Sequence, residues 1–85
     1  MTYSVSYSNQ SAKFIRGTDK ILQSRLIKKI DDLQTDPFPK DIKTIEGSKE
    51  KMFRVRVGDH RILYDVGESS KTIGIIKIDK RSRVY

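Results

Sequence analysis

MFRVRVGDHRILYDV, residues 52–66, reads as a β-hairpin around which the rest of the fold arranges itself. Val57 and His60 flank a two-residue Gly58-Asp59 loop, and glycine at the first of these positions suits a type II′ turn. So short a loop fixes the pairing: Arg56 opposite Arg61, Val55 opposite Ile62, Arg54 opposite Leu63, Phe53 opposite Tyr64. Side chains alternate along a strand, so Phe53, Val55, Ile62 and Tyr64 make one apolar face. Arg54, Arg56 and Arg61 share the other. Like charges directly opposite each other in a sheet repel. Stability alone would not set Arg56 against Arg61, and a bound polyanion would account for the pair.

On the N-terminal side, Tyr3, Val5 and Tyr7 alternate with Thr2, Ser4 and Ser6 as a short first strand. Ser8-Asn9-Gln10-Ser11 offers capping side chains for a short helix that Gly17 can end. Thr18 is the expected N-cap of a second helix, with Asp19 in its first turn. Leu22, Leu26, Ile30 and Leu33 form its apolar stripe, Ile27 widens it, and Pro37 and Pro39 stop it. Lys28 and Lys29 read as solvated surface. Ile42 and Ile45 suggest a brief edge strand. TIGIIKI, residues 72–78, carries apolar residues on both faces, as a central strand does. The expectation is a single α+β domain over residues 1–85: a helical hairpin on one face of a four-stranded, largely antiparallel twisted sheet, in two layers. Alternation along the last strand then sets Lys77, Asp79, Arg81, Arg83 and Tyr85 on one side, opposite Ile76 and Ile78. If that side is the hairpin's arginine face, Arg54, Arg56, Arg61, Arg81 and Arg83 converge there.

The 85 residues hold 18 Lys or Arg against 11 Asp or Glu, a net charge of +7. Residues 51–85 carry nine cations and four anions, so most of the excess lies in the C-terminal strands. Such a balance points to nucleic acid, an anionic membrane or an acidic protein. Arginine suits phosphate because its planar fork gives two hydrogen bonds and keeps its charge. Tyr85 and Tyr64 could stack on bases. With no cysteine and one histidine there is neither a disulfide framework nor metal-ligand spacing, and no cofactor is expected. No apolar run is long enough for a signal core or a membrane span, which leads to the expectation of a cytoplasmic protein without membrane contact.

The hairpin string, the isoleucine-rich strand after it, KTIEG at 43–47 and the closing KRSRVY at 80–85 together resemble the RelE/ParE toxin superfamily. The likeness covers nearly the whole chain. The hairpin string is shared with gyrase-directed ParE members, whereas the closing KRSRVY is closer to RelE-type mRNA endonucleases. The resemblance implies a type II toxin that cuts ribosome-bound message in the A site, the ribose 2′-hydroxyl attacking the adjacent phosphate. It implies that Arg61 and Arg81 hold the phosphate and serve the leaving group, that Arg56 acts beside them, and that Tyr85 stacks on a base. Arg54, Arg83, Lys80 and Lys51 would bind RNA. It also implies two partners, the ribosome with its message and a small acidic RelB-like antitoxin that silences the toxin.

This chain departs from the best-known RelE-type members, which carry lysines where Arg54 and Arg56 stand. An arginine is a poor general base at neutral pH, though it can stabilise a charged phosphorane. His60 is the one side chain whose ordinary pKa lies near neutrality, and so the candidate acid or base. Alternation points it away from Arg61, toward the reading of an exposed turn residue. Two other readings stay open: a ParE-type gyrase inhibitor without nuclease activity, and a non-catalytic basic RNA-binding domain.

Overall fold

In the computed structural model, which describes residues 2–45 and 52–80, the hairpin forms as its loop demands. Gly58 takes φ +59°, the left-handed value that a type II′ turn needs at its first position. The pairs run from Val57–His60 through Arg56–Arg61, Val55–Ile62, Arg54–Leu63 and Phe53–Tyr64. The elements are β1 (Ser4–Tyr7), α1 (Asn9–Gly17), α2 (Lys20–Thr35), β2 (Lys43–Ile45), β3 (Met52–Val57), β4 (His60–Gly67) and β5 (Thr72–Lys80).

The sheet has five strands in the order β1-β5-β4-β3-β2, rather than the four expected. The fifth is β1, which lies parallel to β5 with Ser4 opposite Thr72 and Tyr7 opposite Ile75; every other pair is antiparallel. A parallel partner needs a crossover connection, and here it runs through both helices and then β2, β3 and β4, so no local turn signal announces it. Polar side chains then extend the work of β1 past its end. Gln10 Nε2 donates to Ile78 O at 2.7 Å, and its Oε1 accepts from Ile78 N at 3.0 Å. Ser8 Oγ donates to Ile76 O at 2.6 Å. These residues were expected only to cap α1, and Ser8 does so, accepting from Ser11 N. Gln10→Ala leaves two backbone groups of β5 unpaired, and its expected cost is about 1–3 kcal/mol in urea denaturation. An unchanged midpoint would show that the Gln10 amide is not needed there.

The helices cover one face of the sheet. Leu26, Ile30 and Leu33 of α2 pack with Val55, Ile62, Tyr64, Ile73, Ile75 and Ile78, all essentially inaccessible to solvent. Ile27, counted with the stripe from its spacing, is instead 42% exposed. The N-cap of α2 is Asp19, whose Oδ1 accepts from Leu22 N at 2.8 Å; Thr18 closes α1 instead. The carboxylate is favourable at the positive end of the helix dipole. No helix among the described residues is long and apolar enough to cross a membrane.

One irregularity places the charged side chains. Leu63 pairs with Lys77 but Tyr64 pairs with Ile75, so Ile76 is an extra residue in β5. A β-bulge of this kind resets the alternation beyond it. Ile73 and Ile75 point into the core before the bulge, and Ile78 does so after it.

Candidate functional site on the open face of the sheet

The face turned away from the helices carries two rows of side chains. One crosses four strands as Lys43, Arg54, Leu63 and Lys77; the other runs Arg56, Arg61, Asp79. Arg54, Arg56 and Arg61 thus stand together on neighbouring strands. Lys43 was missed by the sequence reading, because its place depends on how β2 pairs with β3.

Asp79 supplies what the hairpin alone lacks. Arg61 Nε donates to Asp79 Oδ1 at 3.0 Å and Arg61 Nη2 to Oδ2 at 3.1 Å, a bidentate pair about three-quarters shielded from solvent. Lys77 Nζ lies 3.7 Å from the same carboxylate. The opposition of Arg56 and Arg61, which suggested an absent polyanion, is therefore offset in part inside the chain. Asp79 also fixes the plane of the Arg61 guanidinium, since two parallel hydrogen bonds leave it little freedom. No carboxylate lies within 4.0 Å of Arg54 or Arg56 among the described residues. Arg54 Nε is buried with no hydrogen-bond partner among them, an arrangement that costs free energy until an acceptor arrives.

The hydrogen bond from Arg61 holds the Asp79 carboxyl below its usual range, helped by the charges of Arg61 and Lys77 and opposed by desolvation. Because its folded pKa lies below the unfolded one, the stability it contributes is complete above the ordinary value of 3.8. That contribution is lost as pH falls through the lower folded value. Urea midpoints of the native chain and of Asp79→Asn should therefore differ at neutral pH and converge as pH falls through the lowered folded value. A gap constant across that range would contradict the assignment.

The other candidates separate. His60 lies on the helix side of the sheet, half-buried, its ring 5.5 Å from that of Phe14 in an edge-to-face contact. It is neither an exposed turn residue nor a neighbour of the arginines. Lys80 pairs with His60, so alternation directs it to that same side, away from the arginine face. Tyr64, considered for base stacking, is wholly buried, and its hydroxyl donates to Pro37 O at 2.8 Å. Burial, with the charges of Asp41 and Asp36, pushes its pKa far above the usual tyrosine value. Lys51, Arg81, Arg83 and Tyr85 lie outside the described residues. No three His, Asp or Glu side chains gather to hold a metal ion among the described residues.

A family model described as the ParE toxin of type II toxin–antitoxin systems, parDE, matches residues 4–85. Over 59 residues, 66% of this chain, the sequence is 42% identical to a protein of Methanocaldococcus jannaschii with the provisional name toxin RelE1. That match takes in 64% of the relative, less than two thirds of its length. The fold matches the crystal structure of the archaeal RelE–RelB complex from Pyrococcus horikoshii OT3 with a TM-score of 0.85 and 32% identity, covering 99% of this chain and 100% of that one. The intact E. coli RelBE toxin–antitoxin complex gives a TM-score of 0.81 over 95% of this chain and 99% of that one, a likeness of fold at 18% identity. The chain belongs to the ParE toxin family of the RelE/ParE toxin superfamily.

Proposed function

We propose that this chain is the toxin of a type II toxin–antitoxin pair and cuts messenger RNA on the ribosome. The observation that carries the reading is the bidentate Arg61–Asp79 pair, set beside the carboxylate-free Arg54 and Arg56 on one open sheet face. In the reaction the ribose 2′-oxygen forms a bond to the adjacent phosphorus, and the bond from phosphorus to the 5′-oxygen breaks. The proton lost from the hydroxyl is matched by one gained by the leaving oxygen, and a cyclic phosphate remains. Charge builds on the non-bridging oxygens as the phosphorane forms. Fixed guanidinium groups lower that barrier because they need no reorganisation when the charge appears. A phosphate oxygen would also supply the acceptor that the buried Arg54 Nε lacks. In this reading Arg81 and Tyr85, together with Lys51 and Arg83, complete the grip from the segments flanking the described strands. Acid–base chemistry falls to groups other than His60, which faces the helices.

A RelB-like acidic antitoxin is the proposed silencing partner, since proteins of this fold are seen in complexes with RelB. A chain of net charge +7 should attract it. The test is message integrity on programmed ribosomes: cuts within the A-site codon by the native chain, far slower cutting by Arg61→Ala, and none once antitoxin is added in excess. Intact message with folded native protein would defeat the proposal. The family match to ParE favours one competitor, a gyrase inhibitor. Inhibited DNA supercoiling with uncut message would establish that competitor instead.

A further inference from the structure

A cleft of about 250 Å³ opens between α2 and the tip of the β3–β4 hairpin, beside the open face. Three cations of α2, Arg25, Lys28 and Lys29, line it together with Arg56 of β3; Asp32 is the single carboxylate among the described residues of its wall. Lys29 is already paired with Asp41 at 3.1 Å. Arg25, Lys28 and Arg56 have no carboxylate within 4.0 Å among the described residues. The Arg25 guanidinium lies against the turn, 3.3 Å from where a side chain on Gly58 would begin. The glycine therefore serves twice, by taking φ +59° and by leaving room for Arg25. β2 pairs only with residues 52–54 of β3, so no strand stands between the cleft and the stretch that holds Arg56. Arg56 thus borders both the cleft and the arginine face.

Gathering like charges without counter-ions costs stability, and an oxyanion would remove that cost. Docked peptides anchor through apolar side chains in pockets, and Val57 carries the only apolar side chain among the described residues of this wall. The arginine fork and the lysines suit phosphate oxygens. We infer that this cleft grips a second phosphodiester group of the RNA whose reacting phosphate lies on the sheet face, with Arg56 between the two positions. The inference rests on reading that face as an RNA site, and it assigns α2 a part in substrate binding.

The test compares Arg25→Gln/Lys28→Gln with a control pair, Lys13→Gln/Lys40→Gln, which removes the same charge from exposed positions outside the cleft. Arg25 and Lys28 are exposed, so thermal unfolding of the cleft variant should come at or slightly above that of the native chain. Binding of a short labelled single-stranded RNA is followed by anisotropy over a range of salt. The cleft variant should bind about tenfold more weakly, and its slope of log affinity against log salt should fall by about 0.7, as one phosphate no longer neutralised on a single strand requires. No RNA binding by the native chain, an unchanged slope, or an equal fall in the control pair each overturns the inference. Unchanged RNA binding with weakened antitoxin binding also overturns it, the cleft then belonging to an acidic peptide. Uncut message with the cleft-specific slope change intact would sink the reading of the sheet face and leave the cleft standing.

Discussion

On the proposed function, Arg61→Ala is expected to slow cleavage of ribosome-bound message about 10²–10³-fold, the usual consequence of removing one fixed charged donor from a developing oxyanion. The expected magnitude follows from how the residue is held. Two hydrogen bonds to Asp79 orient the guanidinium before substrate arrives, so its attraction for the phosphorane is not spent on ordering a flexible side chain. Arg61→Lys should recover only part of the rate, because an ammonium cannot reproduce the two parallel bonds to the carboxylate. Asp79→Asn, which keeps the shape and loses the charge, should fall between native and Arg61→Ala. The measurement is the single-turnover rate at saturating ribosomes, so that weakened binding does not masquerade as slow chemistry. An unchanged rate in Arg61→Ala would remove the arginine face from the mechanism.

The second large effect is on stability. Tyr64→Ala is expected to cost about 3–5 kcal/mol, as large-to-small changes of core aromatics do, from a total of about 5–15 for a domain of this kind. Tyr64 is fully buried, stacks at 5.7 Å on Phe53, and ties β4 to the segment after α2 through Pro37 O. Tyr64→Phe isolates the hydroxyl and should cost about 1–3 kcal/mol, since it leaves a buried carbonyl without its donor. Chemical denaturation monitored by circular dichroism measures both. If Tyr64→Phe were neutral, water would be able to reach Pro37 O in the variant.

The hairpin was legible because a two-residue loop leaves one register, and that register alone gathers Arg54, Arg56 and Arg61 on one face. The core stripe of α2 was legible from its spacing, except at Ile27, which points to solvent because the stripe is narrower than its hydrophobic residues suggest. The parallel pairing of β1 with β5 was hidden because its two strands are separated by most of the chain. The partnership of Arg61 with Asp79 was hidden for a related reason: it depends on the β4–β5 register, which a bulge shifts. The contact of His60 with Phe14 required knowing where α1 crosses the sheet. Side-chain pairing across a tight turn is local information; pairing across long connections and bulges is not.

The extra residue at Ile76 acts as a phase shifter. Were the same residues paired without a bulge, strict alternation from Ile73 and Ile75 would carry Lys77 and Asp79 inward among the aliphatic side chains and turn Ile78 out to water. Deleting Ile76 would therefore remove the bulge yet keep Ile78 inward and Lys77 and Asp79 on the open face, whereas closing the bulge with all residues retained would swallow two charges and strand Arg61. One unpaired position lets a single strand be greasy where it supports the helices and ionic where it borders the open face.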